Sequence, residues 1–451
     1  MQQKQLSRCF LWRLAMLNRG IVVAVILFGL LIYPSLYSQD PNVIHIRPSD
    51  KFVATIAIPD FKPVAGSECV KSGLFQEIIY RDLEISGYFT RVKNEQFVAQ
   101  TNAADEKSGS INFQEWNRLG ANFLLKSSFN LSGNTLSSEC FFYDVKTNQR
   151  VFGKNFDGYT REQYRRMAHR IADEIIRYVS QEQGIASTRI AYISQIGKAK
   201  EVYVMDADGF GFMPLTRDGN LAATPCWGLG AAEIYYTSYK EYNPDLWLVR
   251  LTDGKAGVVS SHPGFNLSPA WCEKAQKMAL TLSKDGNSEI YTMDHRGGNL
   301  KRLTYNKAID ASPSWSPEGN RIAFTSDRTG RPQIFVMDSE GLNVKKLTNQ
   351  GSYNESPAWS PKGDRIAFVS RIEGRFHIFL MDTDGSNWVR LTTGNSNNED
   401  PTWAPDGRHI AFTSDRSGRM QIYVMNDDGG NIIQLTKEGT NQSPSWSPFM
   451  N

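Results

Sequence analysis

The chain has 451 residues, of which 40% are hydrophobic and 22% are charged, and this length predicts about two or three domains, each with its own core. The net charge of +3 argues against a nucleic-acid-binding protein with a broad basic surface. The mean hydropathy of −0.41 argues against many membrane spans, and five cysteines are too few for a disulfide scaffold.

The first 38 residues have the features of an export signal. Residues 1–20 contain four basic residues and no acid, and thirteen apolar residues from Ile21 to Tyr33 follow. A membrane-spanning helix needs about 20 such residues, so we predict a cleaved signal peptide over residues 1–38, with no direct membrane insertion afterwards. The alternative is an uncleaved inner-membrane anchor, because Leu36-Tyr37-Ser38 is a weak cleavage site.

Cleavage there would leave a chain of net charge −1 with four cysteines, Cys69, Cys140, Cys226 and Cys272. An even number of cysteines in an exported protein permits two disulfides, in any of three pairings. Buried free thiols are the other interpretation, and the sequence does not decide between the two.

Residues 39–187 predict a small α/β sandwich domain. Apolar runs predict buried strands, and apolar residues three or four positions apart predict helices. The predicted elements are a strand at 52–58, a helix over about 75–87, strands at 122–129, 136–145 and 150–156, and a helix at 161–183. Gly184 ends the last helix close to the following domain, so we expect little relative motion of the two domains.

The C-terminal part of the chain is a 44-residue repeat. It is marked by tryptophans spaced 44 residues apart, the last by 43: Trp227, Trp271, Trp315, Trp359, Trp403 and Trp446. Two further apolar series, starting at Tyr192 and Tyr203, keep the same spacing. A period of about 40–45 residues with four short strands is typical of a β-propeller. We interpret the aromatic series as packing between blades.

One repeat predicts strand a at 313–317, strand b at 321–326, strand c at 333–338 and strand d at 345–348. Strands b to d occur six times from Ile190, and strand a occurs six times from Trp227. The first unit therefore lacks a strand a, and the last strand a has no partners of its own. We predict a six-bladed β-propeller over residues 188–451, closed by the C-terminal strand pairing with residues 190–216.

Strand direction divides the connections between two faces of this propeller. The a–b and c–d turns are tight and contain glycine, whereas the b–c and d–a connections on the other face are longer. Acids precede three of the Pro-x-Trp motifs, at 310, 355 and 399–400, and arginines occupy the b–c loops at 328, 331, 371, 375, 416 and 419. Acids and arginines are thus expected to alternate around the mouth of a central channel. This face therefore predicts a surface for a protein partner. The alternative is that the charges pair within each blade, as Asp327 with Arg328.

Motifs for chemistry are absent from the sequence. It contains no Gly-x-Ser-x-Gly, His-Glu-x-x-His, Cys-x-x-Cys or P-loop motif, which argues against a serine hydrolase, a zinc site and a nucleotide site. Asp206-x-Asp208-Gly and Asp382-x-Asp384-Gly lack the glutamate that ends an EF-hand loop, so we interpret both as hairpin turns. We predict no cofactor, and the sequence leaves open whether a cation binds in the axial channel. We interpret His169 as structural.

Three stretches carry a resemblance to a known family: the Asp82–Phe89 segment, the junction from Ala168 to Tyr192, and the repeated Ser-Pro-x-Trp-Ser-Pro-x-Gly-x-x-Ile-Ala-Phe motif. Together they resemble the TolB family, periplasmic proteins of the Tol–Pal system of Gram-negative envelopes. The resemblance covers nearly all of residues 42–451. It implies a non-enzymatic periplasmic adaptor without a small-molecule substrate, which serves outer-membrane integrity and envelope constriction during cell division. The alternative is a periplasmic enzyme or carbohydrate-binding propeller with its site in the channel.

The resemblance also implies two binding regions. In the family, the loops before Pro-x-Trp surround a channel mouth that receives the peptidoglycan-associated lipoprotein Pal. The corresponding residues here are His262, Phe265, Ser268, Asp310, Ser312, Glu355, Glu399 and Asp400. The family's mature N-terminal segment binds the C-terminal domain of TolA, and its apolar residues suit the addition of a strand to a partner sheet. That segment corresponds to Asp40, Asn42, Val43, Ile44, His45 and Ile46.

Overall fold

The structure is a computed structural model that describes residues 53–64 and 73–450. The predicted signal peptide, the predicted TolA-binding segment 40–46 and Cys69 lie outside these residues. None of the helices in the described ranges combines the length and the apolar character that a bilayer crossing requires.

The N-terminal domain consists of one mixed β-sheet with helices packed on it. Its elements in chain order are β1 Ala54–Ala57, β2 Lys62–Pro63, α1 Gly73–Ile85, β3 Phe89–Arg91, α2 Glu95–Ser108, α3 Phe113–Arg118, β4 Phe123–Ser132, β5 Thr135–Asp144, β6 Gln149–Thr160 and α4 Tyr164–Ser180. The sheet order is β3-β1-β4-β5-β6, with β2 also paired to β4. Strands β3 and β4 run parallel to β1, and the hairpins β4–β5 and β5–β6 are antiparallel. The predicted α/β sandwich is confirmed.

Helices α1 and α4 form because their apolar residues recur on one face. In α4 the residues Met167, Ile171, Ile175 and Val179, each four positions from the next, are fully buried. The helix ends where Gln181 adopts a left-handed conformation with φ of 61°. In α1, Phe75 stacks on Phe61 with ring centroids 5.3 Å apart.

Helices α2 and α3, which lie between the predicted helix and the predicted hairpins, were not predicted from the sequence. Helix α2 buries only Val98 and Asp105, so its apolar periodicity is weak. It is held by a polar anchor instead. The Asp105 carboxylate accepts hydrogen bonds from Trp116 Nε1 at 2.8 Å and from Lys126 Nζ at 2.7 Å. The order of elements predicted for this domain, namely a strand, a helix, three strands and a helix, therefore lacked α2 and α3.

The propeller contains six four-stranded antiparallel sheets, each in the order a-b-c-d. Blade 1 comprises Thr440–Trp446, Arg189–Ile196, Ala199–Asp206 and Met213–Pro214; blade 2 Ala222–Trp227, Glu233–Ser238, Asp245–Arg250 and Ala256–Ser260; blade 3 Asn266–Cys272, Lys277–Leu282, Glu289–Met293 and Lys301–Arg302; blade 4 Asp310–Trp315, Arg321–Ser326, Gln333–Asp338 and Lys345–Lys346; blade 5 Asn354–Trp359, Arg365–Ile372, Arg375–Asp382 and Val389–Arg390; blade 6 Asn398–Trp403, His409–Ser414, Gln421–Asn426 and Ile433–Gln434.

Strand a begins earlier than predicted. In blade 4 it starts at Asp310 rather than Pro313, so the residues assigned to the d–a loops lie within strand a. The register shifts between Ala311 and Ser314, and Ser312 has φ of 52°, which together form a β-bulge. The Ser-Pro pair indicated a strand boundary, but proline is tolerated at a bulge in an edge strand because no ladder hydrogen bond is needed there.

Neighbouring blades are joined through the repeated tryptophans. The indole N–H of Trp315 donates to the Ala270 carbonyl of the preceding blade at 3.1 Å, and that of Trp403 donates to Ala358 at 2.9 Å. The rings themselves are buried between the sheets, together with the aromatic residues of strands b and c. The interpretation of the aromatic series as packing between blades agrees with these positions.

The ring is closed by the C-terminal strand, as predicted. Thr440–Trp446 pairs antiparallel with Arg189–Ile196, for example Trp446 with Ile190. The indole N–H of Trp446 donates to Thr188 Oγ1 at 2.8 Å, and that of Trp227 donates to the Ser445 carbonyl at 2.8 Å. The closing strand therefore completes blade 1 and also contacts blade 2.

A buried ionic cluster joins the N-terminal domain to blade 1. His169 of α4 lies with Nδ1 2.7 Å from Asp82 Oδ2 of α1 and with Nε2 3.4 Å from Asp206 Oδ2 of the propeller. Arg165 donates from Nε to Asp206 at 2.9 Å and from Nη2 to Asp208 at 2.6 Å. The surrounding carboxylates outweigh the effect of burial and raise the pKa of His169 to about 10.

The three described cysteines are free thiols. Cys140 lies in the N-terminal sheet, where burial raises its pKa to about 11 despite its hydrogen bonds with Ser127 and Ser138. Cys226 and Cys272 lie on strand a of blades 2 and 3. Of the two interpretations left open by the sequence, free thiols hold for these three residues.

Replacement of Trp446 by alanine tests the closure. The buried indole and its bond to Thr188 are lost, so we expect the free energy of unfolding to fall by about 3–5 kcal/mol. Trp271→Ala is the matched control, because Trp271 is only half-buried and its N–H donates to Glu273 within its own blade. Urea unfolding measures both variants, and an equal or smaller loss for Trp446→Ala would contradict closure as a principal source of stability.

The ionic cluster predicts a pH-dependent contribution to stability. The pKa of His169 is raised from 6.5 to about 10, so its contribution is complete below pH 6.5 and declines as the pH rises toward 10. We expect the difference in unfolding free energy between the wild type and His169→Gln to shrink over this range. Urea unfolding at several pH values measures it, and a constant difference would show that the proton on His169 does not stabilise the junction.

Candidate partner-binding site

The N-terminal domain contacts the face of the propeller that carries the a–b and c–d turns. Arg408 in the a–b turn of blade 6 pairs with Glu182, and Asn431 in its c–d turn donates to the Glu84 carbonyl at 2.9 Å. Asp208, in the c–d turn of blade 1, binds Arg165. The face of the b–c and d–a connections, predicted to bind a partner, is the opposite one. The channel mouth on that face is called the upper mouth below.

A ring of bulge residues lies at the upper mouth. One residue in each strand a has a positive φ between 45° and 53°: Thr224, Ser268, Ser312, Ser356, Asp400 and Ser443. Three of them donate their backbone N–H to a threonine hydroxyl of the preceding blade: Ser312 to Thr281 at 3.2 Å, Ser356 to Thr325 at 3.1 Å and Ser443 to Thr413 at 3.0 Å. The predicted residues Ser268, Ser312 and Asp400 occupy equivalent positions in this ring.

Three predicted acids come together in blades 5 and 6. The Glu355 carboxylate accepts a hydrogen bond from Tyr353 at 3.0 Å, and Asp400 accepts from Thr413 and Ser443 at 3.2 and 3.1 Å. Burial, reinforced by the charges of Asp400 and Glu355, raises the pKa of Glu399 to about 7. Raised carboxyl pKa values concentrate at functional sites. We call Glu355, Glu399 and Asp400 the acidic arc.

Asp310 does not join the acidic arc. Its side chain is fully buried, and its Oδ2 accepts from Arg328 Nη2 at 2.8 Å and from Asn306 Nδ2 at 2.7 Å. Asp327 instead accepts from the backbone N–H of Ile309 at 2.8 Å. The Asp–Arg clamp within a blade therefore exists, but it joins Arg328 to Asp310 rather than to Asp327.

The arginines of the b–c loops divide into two groups. Arg328 and Arg416 are held inside their blades, whereas Arg331, Arg371, Arg375 and Arg419 are exposed. The prediction of acids alternating with arginines around the mouth was therefore wrong for Asp310, Arg328 and Arg416. These three side chains form hydrogen bonds within their own blades and are not available to a partner.

Exposed apolar side chains occupy the other half of the upper mouth face, in blades 2 to 4. Phe265 is 48% exposed, beside the half-buried His262, and both precede strand a of blade 3 as predicted. Three more were not predicted: Tyr242, Tyr305 and Ile309 are 97, 72 and 53% exposed. Their position between strands, where polar residues are usual, was the available signal. Aromatic residues of this kind are frequent anchors in protein interfaces.

Within the described residues, one group has the composition of a metal site, namely Asp82, His169 and Asp208 at the domain junction. The Arg165 guanidinium already bonds both Asp206 and Asp208 and lies 3.4 Å from His169. The guanidinium of Arg165 thus provides the positive charge that a metal ion would otherwise supply. We therefore interpret Asp82, His169 and Asp208 as structural residues of the domain junction.

The comparisons with known proteins agree on one family. The sequence-family model of the TolB beta propeller domain matches residues 177–388 and 353–450. The family model of the TolB amino-terminal domain matches residues 43–151. A crystal structure of TolB from Acinetobacter baumannii superposes with a TM-score of 0.77 at 26% identity, covering 88% of this chain and 97% of that one.

Curated relatives are similar over part of their length. The Tol-Pal system protein TolB of Desulfosudis oleivorans is 33% identical over 259 residues, which are 56% of this chain and 57% of the relative. That of Anaeromyxobacter dehalogenans strain 2CP-1 is 33% identical over 52% of this chain and 53% of the relative. The chain thus spans just over half the length of these relatives.

Proposed function

The chain belongs to the TolB family, and on this premise we propose that it acts in the periplasm as a non-enzymatic adaptor of the Tol–Pal system. It links the lipoprotein Pal to the inner-membrane protein TolA. Through this link it serves outer-membrane integrity and envelope constriction during cell division. An adaptor of this kind needs no cofactor and no small-molecule substrate.

The observation that carries the proposal is the upper mouth. It presents the acidic arc on one side and exposed aromatic residues on the other, opposite the N-terminal domain. A protein interface commonly combines apolar anchors with charges that orient the partner. Pal binds at this mouth, in contact with Phe265, Glu355 and Glu399.

The N-terminal segment serves the second partner. Residues 40–46 bind the C-terminal domain of TolA by adding a strand to its sheet, because backbone hydrogen bonds and alternate apolar side chains suffice for such an interaction. The segment is separate in sequence from the upper mouth, so the two partners bind different parts of one chain.

Charge reversal in the acidic arc tests the Pal site. We expect Glu355→Arg with Glu399→Arg to abolish capture of purified Pal in isothermal titration calorimetry, with Glu355→Gln plus Glu399→Gln as the milder pair. The matched control is Glu318→Arg with Glu340→Arg, two exposed acids in turns of the opposite face, which should bind normally. If the reversed variant keeps its fold and still binds Pal, the site is elsewhere.

Deletion of residues 40–46 tests the TolA site. The variant should lose binding to the purified C-terminal domain of TolA while retaining Pal capture, because only the strand-forming segment is removed. Replacement of Val43, Ile44 and Ile46 by serine should weaken TolA binding in the same direction, with Leu342→Ser, at an exposed apolar residue of the propeller, as the control. Undiminished TolA binding by the deletion variant would place the contact in the folded domains.

A further inference from the structure

Four of the six blades place a basic side chain over the aromatic ring of strand c. In each case the basic residue stands two positions after the end of strand b, at the upper mouth face. The pairs are Lys240 over Trp247, Lys284 over Tyr291, Arg328 over Phe335 and Arg416 over Tyr423, at 5.2, 5.5, 4.9 and 4.8 Å from the ring centroids. The position is therefore one that the fold fills with a cation.

In blades 4 and 6 the arginine also satisfies two buried polar groups. Arg328 donates from Nε to Ser326 Oγ at 2.9 Å and from Nη2 to Asp310 Oδ2 at 2.8 Å. Arg416 donates in the same way to Ser414 Oγ at 3.0 Å and to Asn398 Oδ1 at 2.7 Å. A serine at the end of strand b and an Asp or Asn at the start of strand a thus form a socket for one guanidinium.

Blade 5 keeps the socket but lacks the arginine. Asn354 and Ser370 stand at the equivalent positions and face each other in the strand register, but Ile372 replaces the basic residue. Asn354 is fully buried and Ser370 is 1% exposed, and neither Asn354 Oδ1 nor Ser370 Oγ has a hydrogen-bond partner. Buried polar groups in native proteins are rarely left in this state.

The carboxylates of the acidic arc, in the same sector, also lack a cationic partner in the described part of the chain. Glu355 follows Asn354 directly, and Glu399 and Asp400 stand in the adjoining blade. Among the described residues, none of these three carboxylates has an ion-pair partner within 4.0 Å. Arg371, near the end of strand b of blade 5, stands with its guanidinium 5.8 Å from the ring centroid of Phe376 instead.

We propose that the blade 5 socket binds an arginine side chain of the partner that docks at the upper mouth. This inference rests on the proposed function and deepens it, because it names the chemistry of the contact. The guanidinium donates to Asn354 Oδ1 and Ser370 Oγ, as Arg328 and Arg416 do within their own blades, and its charge lies beside the acidic arc.

The approach to the socket passes the 350–352 segment. Gly351 is exposed, and a Cβ built on it would lie 3.1 Å from Ser370 Oγ and 3.2 Å from Asn354 Oδ1. The absence of a side chain at Gly351 keeps that space free next to the two acceptors. Insertion of the guanidinium displaces this segment, which is bound to the socket through the Gln350 carbonyl and Asn354 Nδ2 at 2.9 Å.

The principal test supplies the missing arginine from within the chain. In Ile372→Arg the new guanidinium fills the socket, so we expect a higher melting temperature and roughly tenfold weaker binding of purified Pal in calorimetry. Ile372→Leu, which keeps the socket empty, should change neither. If a folded Ile372→Arg variant binds Pal with wild-type affinity, the proposal is overturned. This holds even if the melting temperature of the variant rises, because the socket is then not used by the partner.

A pair of serine variants keeps the proposal testable if Ile372→Arg does not fold. Ser370→Ala removes an unpartnered hydroxyl, so it should weaken Pal binding without lowering the melting temperature. Ser326→Ala is the matched control in blade 4, where Arg328 already fills the socket, so it should lower the melting temperature and leave Pal binding unchanged. The same response from both variants contradicts the proposal.

A measurement without Pal separates failure of the socket from failure of the proposed function. Methylguanidinium chloride at low millimolar concentration should raise the melting temperature of the wild type relative to equal sodium chloride, and should not do so for Ile372→Arg. If wild-type protein does not bind Pal but shows this difference, the proposed partner is wrong and the socket stands. If Ile372→Arg does not change the affinity for Pal and methylguanidinium does not raise the melting temperature of the wild type, the socket itself is refuted.

Discussion

The contact between neighbouring blades is the interaction on which the rest of the propeller depends. A four-stranded blade cannot bury both of its faces alone, so each sheet is stable only when it packs against the next. Here the contact has two parts, a layer of buried aromatic rings and a set of hydrogen bonds from one blade to the next, such as that from Trp403 to the Ala358 carbonyl. The hydrogen bonds of the bulge residues add a second set at the upper mouth. Because that set fixes the bulges, the same contacts that hold the ring together also position the acids and hydroxyls around the channel.

The repeat made most of this architecture predictable. Strands b and c of blade 4 lie at the predicted residues, and the closing strand was deduced by counting units, because aromatic residues at a fixed period report packing that every blade must satisfy. Helix α2 was not predictable in this way, since it is held by the polar contacts of Asp105 rather than by an apolar face. The early start of strand a was missed because a bulge with positive φ and a proline has the sequence of a loop.

The candidate site was predictable only in outline. Acids before Pro-x-Trp indicated the face that carries the acidic arc, but the availability of each acid depends on residues far away in sequence. Asp310 is neutralised by Arg328, eighteen positions later, whereas Ile372 occupies the position eighteen residues after its counterpart Asn354. Burial raises the pKa values of Glu355 and Glu399, and charges in the neighbouring blade raise them further, Asp400 acting on Glu355 and Glu355 acting on Glu399. Such relations appear only when the ring is closed.

Closure by the last strand also has a consequence for folding during synthesis. The bond from Trp446 to Thr188 joins residues 258 positions apart, and it cannot form until almost the whole chain has emerged. Until then blades 1 and 6 each expose a hydrophobic face and blade 1 also has an unpaired edge, the kind of surface through which unfinished β-proteins associate. A chain that ends a few residues early would therefore stay in this open state indefinitely. Folding of the whole propeller thus depends on an intact C-terminal strand.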